Sequence, residues 1–175
     1  RAHRHRNLFQ ILLIKQGGGE MNFEAATVAF SAPAAILVPA TTAHGFRFSP
    51  QITDGWVVSF TEDVADALGD QSGEALARLK AVAADPVVSL ADASEAKRLA
   101  TLCADLNEEA SLARAGYRLA MRGLLALIAI EVVRLAVSRA RSGAVTLTRA
   151  DARVEELRRL LDEHFRKERL ISFYA

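Results

Sequence analysis

The chain has 175 residues, 51% of them hydrophobic and 25% charged, with a formal net charge of +1. That apolar fraction excludes a disordered chain and is enough for one domain with a sizeable core; so balanced a charge argues against a nucleic-acid-binding surface spread over the molecule. The single cysteine, Cys103, excludes an internal disulfide framework and points to a reducing, cytoplasmic setting.

Residues 1–60 are expected to form short strands. Leu8 to Ile14 is an apolar run broken only by Gln10, and Gly17-Gly18-Gly19 follows as a turn. Met21 to Phe30, Ala34 to Val38, Gly45 to Phe48 and Trp56 to Phe60 come next at short spacing. Aromatic and β-branched residues fill these runs, with Gly, Pro, Asn or Asp between them, which predicts a small barrel or sandwich.

From Thr61-Glu62-Asp63 the pattern turns helical, with a capping hydroxyl and early acids. Leu68, Leu76 and Leu79 keep helical spacing up to Pro86, with a break near Gly69–Gly73. Val87 to Leu90 predicts a short strand, and a second helix starts near Asp92 or Ser94 with Leu99, Leu102, Cys103 and Leu106 on one face. Cys103 there is a packing residue.

Tyr117 to Arg141 is the most apolar helix. Arg122, Glu131 and Arg134 cut its apolar stretch short of the roughly 20 residues a membrane span needs, so no membrane is implied. The expectation is a helix buried on two sides, by its own domain and by a partner, the alternative being one fully internal helix; for a homodimer the contact residues are Leu124, Leu127, Ile128, Val132 and Leu135. Ser142-Gly143 ends it, Thr146 to Arg149 links onward, and Val154, Leu157, Leu160, Leu161 and Phe165 predict a last amphipathic helix. The C-terminal end is the basic one: residues 134–175 hold 10 Lys/Arg against 6 Asp/Glu, whereas residues 1–133 hold 12 against 15. Arg at position 1, and an end at Ala175 without turn or cap, are what an excised piece of a longer protein would show.

Three of the four histidines fall in the strand region. His3-Arg4-His5 alternates, placing both imidazoles on one face, and His44 follows Pro39-Ala40-Thr41-Thr42-Ala43. These residues resemble the two motifs of the cupin superfamily. His3, His5, Gln10 and Gly17 match the first, with Gln where the family has Glu; Pro39, Thr41 and His44 match the second, with Thr where it has Gly. The resemblance implies a divalent metal, zinc foremost, on His3, His5 and His44. Gln10 is a poor ligand for a transition metal, which weakens the case for redox chemistry.

A second resemblance lies at residues 154–175. Val154 to Phe165, closing on His164-Phe165, and then Leu170-Ile171-Ser172-Phe173-Tyr174-Ala175, are similar to the opening of the AraC-type DNA-binding domain. Gly55 to Val64 is similar to the last strand and helix start of the effector domain in that family. The order then implied is a cupin-like ligand-binding barrel at 1–60, a helical and dimerisation region at 61–145, and at 146–175 a linker and the first helix of a truncated helix-turn-helix domain. DNA would be contacted only by the missing C-terminal part. The fold class implied is α+β, a small cupin-like barrel or half-barrel followed by helices.

The runs from His3 to Gly17 and from Pro39 to His44 look closest to regulators of para-hydroxybenzoate breakdown, so the implied effector is a small aromatic acid. Its pocket would use His3, His5, His44, Arg6, Gln10, Phe46, Phe48, Trp56 and Val58: rings for the flat face, cations for the carboxylate. Alternation places Arg4 and Arg47 on the opposite face from the histidines; a sheet bulge is needed to bring Gln10 inward, and it puts Phe9, Ile11 and Leu13 on the other face, packing between sheet and helices. The competing function is a metal-dependent cupin enzyme acting on a small aromatic or sugar substrate. Against it stand Gln10, the lack of an evident general base, and a C-terminal third given to helices. A pure dimerisation module with an empty barrel is the third option.

Overall fold

The computed structural model describes residues 7–24, 26–50, 52–61, 64, 74–90 and 93–143. Seven strands are present among them: β1 (Leu8–Gln16), β2 (Gly18–Phe23), β3 (Ala26–Ser31), β4 (Ala34–Val38), β5 (His44–Phe48), β6 (Asp54–Thr61) and β7 (Val87–Ser89). The helices are α1 (Glu74–Val82), α2 (Ala93–Leu112) and α3 (Tyr117–Gly143). The α+β class is therefore as expected. The expected run from Met21 to Phe30 is a hairpin rather than one strand: the chain turns after Phe23, with Glu24 at φ 54° and its N–H donating to Ala43 O at 2.8 Å.

Two antiparallel sheets result, one in the order β6-β1-β4-β7 and one in the order β3-β2-β5. They pack face to face through Leu12, Ile14, Ile36 and Val38 on the first and Met21 and Phe30 on the second. Neither sheet closes among the described residues, so the architecture is an open pair of sheets. The chain crosses between sheets at Gly17, whose φ of 80° suits glycine. A Cβ there would stand 2.7 Å from Ile52 O and Thr53 Cα, so no other residue fits without moving that loop. The Thr53 hydroxyl fastens the same corner, 2.9 Å from Ser49 O and 3.1 Å from Gly18 O.

β1 is apolar on both sides because both are covered. Phe9, Ile11 and Leu13 join Leu37, Phe60, Leu99, Cys103, Ile128 and Val132 in a core between sheet and helices, as alternation requires. Leu12 and Ile14 face the second sheet. β4 is buried throughout for the same reason. The strands and helices up to Arg139 form one compact unit, so the expected barrel and helical regions share a core. A second unit begins at Ala140; the expected linker and terminal helix at 146–175 lie outside the described residues.

Ion pairs tie the helices together. Arg139 donates to Glu95 at 2.6 Å and to Ser89 O at 3.0 Å, and Arg98 pairs with Glu131 at 3.2 Å. Burial pushes the Cys103 thiol up to about 11, so it stays protonated at neutral pH and packs as an apolar group. No helix among the described residues is long and apolar enough to cross a membrane.

Candidate functional site

The space between the sheets is where the sequence places a ligand, and its wall on the second sheet is aromatic. His44, Phe46 and Phe48 alternate along β5 onto the inner face, with Gly45 and Arg47 turned away. Phe46 and Phe48 stack at 5.3 Å with 9° between their planes, Phe30 meets both edge-on at 6.2 and 5.9 Å, and His44 meets Phe46 at 6.1 Å. Gly19 lies opposite both Phe30 and Phe48, and a Cβ there would run into the backbone carbonyl of Arg47, so β2 and β5 approach too closely at this point for a larger residue. Phe48 is 42% exposed, so the wall opens to solvent at that end. Arg47 pairs with Glu20 at 2.8 Å on the outer face, as its alternation predicts.

The opposing wall carries a polar spot. Gln10 shares the inner face with Leu12 and Ile14, paired across the ladder with Val38 and Ser59. Its amide donates to the Ser59 hydroxyl at 3.0 Å. The irregularity in β1 lies between Ile14 and Gln16, after Gln10.

His44 is buried and oriented by its own turn. Its Nδ1 lies 2.9 Å from Thr42 O. A carbonyl only accepts, so in the neutral ring Nδ1 carries the proton and Nε2 holds the lone pair. That is the arrangement in which imidazoles bind metals, with the other ring N–H held by a carbonyl. The donor chemistry of His44 thus fits a metal. The other two expected ligands, His3 and His5, and the expected cation Arg6, lie outside the described residues. Among the described residues no group of three His, Cys, Asp or Glu stands close enough to hold an ion.

Thr41, which occupies the glycine position of the Pro-x-Gly-x-x-His pattern, has φ 67°. Thr41 therefore holds a left-handed turn to which glycine is suited, and its β-branched side chain is strained there. Thr41→Gly is expected to raise unfolding stability by about 1 kcal/mol, the strain relieved exceeding the added chain entropy. Urea denaturation of the two proteins checks it.

Two sets of expected residues are placed differently. Trp56 and Val58 do share a face, but it is the helix-side face of β6, together with Phe60. The inner face of β6 carries Val57 and Ser59 instead, and Trp56 lies under the Lys15 ammonium, 5.9 Å from its ring centroid. The same ammonium pairs with Asp54 at 2.7 Å and holds that carboxyl below its usual range. On α3, Ile128, Val132 and Leu135 are buried in the protomer's own core, which removes them from the expected dimer contact. Leu124 is half-buried and Leu127 exposed.

The exposed apolar residues of α3 are Leu119, Leu127, Ile130 and Val137. With Gly123 and Arg134 they step by four or three residues along one face, opposite the buried face of Leu125, Ile128, Val132 and Leu135. Leu119, Ile130 and Val137 were not among the expected contacts; on a helix apolar all round, their common outward face is visible only once the inward face is known. No protein-family model matches the chain, and no curated protein matches it.

Proposed function

We propose that this chain is the ligand-sensing and dimerising part of an AraC-type transcription regulator, responding to a small aromatic acid such as a hydroxybenzoate. It acts by binding rather than by catalysis, and it releases its ligand unchanged. The observation that carries this reading is the double role of β1. One face of that strand, through Gln10 and Leu12, looks toward the aromatic wall. The other, through Phe9, Ile11 and Leu13, packs in the core that holds Ile128 and Val132 of α3. A ligand lodged between the sheets and the helix that carries the exposed apolar stripe thus press on opposite sides of one strand. Any difference in ligand affinity between two settings of that strand would bias α3.

The ligand chemistry follows from the wall. Stacked rings favour a flat aromatic body. The polar pair Gln10–Ser59 suits a hydroxyl or carboxylate. His3, His5 and Arg6 belong to the same reading as further polar contacts. A zinc ion held by His3, His5 and His44 would supply an open position for a carboxylate oxygen.

A melting screen of hydroxybenzoates tests the proposal. A specific ligand at a hundred times its dissociation constant should stabilise the protein by about 2.7 kcal/mol, read as a rise in Tm. Phe48→Ala should remove most of that rise while changing the ligand-free Tm little, because Phe48 is partly exposed. A screen with no stabilising aromatic acid would count against the function. An unchanged rise in Phe48→Ala would move the site elsewhere.

A further inference from the structure

A cavity lies on the helix side of β6, between that strand and the helices. Its volume is about 420 Å3, inside the ~300–1,000 Å3 range of small-molecule pockets. Val58 and Phe60 of β6, Leu106 of α2, and Met121 and Leu125 of α3 give it an apolar lining. Arg118 and Arg122 also line it, one turn apart on α3, and both are exposed. No carboxylate lines the cavity among the described residues.

We propose that this cavity binds an aliphatic monocarboxylate, its chain inside and its carboxylate on Arg118 and Arg122. Three features select that chemistry. Charge comes first: two guanidiniums at an apolar opening complement one anionic head on an uncharged body. The second feature is the shape of the lining. Phe60 is the one ring among the described lining residues, and it already stacks on Phe9 at 5.4 Å and 21°. Apart from the hydroxyl residues Ser59 and Thr61 and the two arginines, the rest is aliphatic or thioether, which conforms to a flexible chain and gives a flat ring little to stack on. The inter-sheet wall, with three phenylalanines in mutual contact, has the opposite character.

The third feature is the state of the guanidinium of Arg118. Its Nε donates to the Tyr117 hydroxyl at 3.2 Å and its carbon lies 5.8 Å from the ring centroid. The terminal nitrogens of the fork remain for a carboxylate. Because both arginines are exposed, they orient the head, and burial of the chain supplies most of the affinity. The occupant would lie directly against Met121 and Leu125, on the side of α3 away from the exposed stripe. This assignment stands independently of the regulator reading.

Isothermal calorimetry of the 175-residue protein with decanoate, kept below its micelle concentration, is the test. One saturable site is expected. Decyltrimethylammonium, with the same chain and the opposite charge, should bind at least tenfold more weakly. Arg118→Glu combined with Arg122→Glu should weaken decanoate at least tenfold, and Met121→Trp, which fills the cavity, should abolish binding. Circular dichroism and Tm report whether each variant is folded; the surface double variant keeps the test decisive if Met121→Trp is not. No saturable decanoate binding, equal binding of the ammonium, or wild-type affinity in the folded double variant would each overturn the assignment.

Discussion

Phe9→Ala is expected to cost about 3–5 kcal/mol of folding stability, the range for a fully buried aromatic truncated in a core. Phe9 has no exposed surface, stacks on Phe60 at 5.4 Å, and belongs to the cluster that joins the four-stranded sheet to α2 and α3. Set against the ~5–15 kcal/mol that holds a domain of this size together, the loss brings the protein close to unfolding at room temperature. Urea denaturation measures it directly. Phe48→Ala serves as the contrast, because Phe48 lies on the other side of the sandwich and is 42% exposed. Its cost should stay below about 1.5 kcal/mol, since much of its surface is already in water. If Phe9→Ala cost no more than Phe48→Ala, Phe9 would line an open space, and the assignment of faces along β1 would be reversed.

That assignment is the part of the fold the sequence states least clearly. Leu8-Phe9-Gln10-Ile11-Leu12-Leu13-Ile14 is apolar at both parities because both faces of β1 are covered. Alternation therefore says which residues go together without saying where they face. Gln10 is the one marker, and it does look away from the helices. On β6 the marker was present and outweighed: Trp56, Val58 and Phe60 are three large apolar residues at one parity, against Gly55, Val57 and Ser59 at the other. The bulkier set takes the helix side, where Phe60 is buried, while Val57 on the other face is 61% exposed, so the expectation of Trp56 and Val58 between the sheets is reversed. β5 gave a better reading, since His44, Phe46 and Phe48 alternate with Gly45 and a charged Arg47 that has to reach water.

The remaining features are of two kinds, local turns and contacts between distant segments. The Thr42 carbonyl on His44 and the positive φ of Thr41 are local, and the Pro39 pattern hinted at the turn but not at its geometry. The cavity beside Arg118 needs β6 and α3 brought together across the intervening chain, and nothing in either segment alone announces it. On α3 the apolar residues run all round the helix, so the sequence indicates two covered faces but cannot say which one the sheet takes. The expected dimer residues Ile128, Val132 and Leu135 proved to be the sheet's share.

If the chain dimerises as proposed, Leu127→Glu is expected to separate the two copies without unfolding either. A second copy of α3 laid antiparallel over the first, about a two-fold axis between Leu127 and Ile130, sets Leu127 of each against Ile130 of the other and Leu119 near Val137. It also brings Gly123 opposite Arg134, where a Cβ at Gly123 would meet nothing within 4 Å of its own protomer and the arginine stem has room. Leu127 and Ile130 are 46% and 43% exposed in the single chain, surface that this pairing would cover at its centre. A carboxylate there is buried twice by symmetry. At about 2 kcal/mol for each copy the total is ~4 kcal/mol, close to a thousandfold in the dimer dissociation constant. Folding of the single chain should change by less than about 0.5 kcal/mol, because the side chain points away from its core. Sedimentation equilibrium over a concentration series gives the first quantity and urea denaturation of the dilute protein the second. A dimer of unchanged affinity would place the contact on another surface, and a wild-type chain that stays monomeric at high concentration would remove the dimerising half of the proposed function.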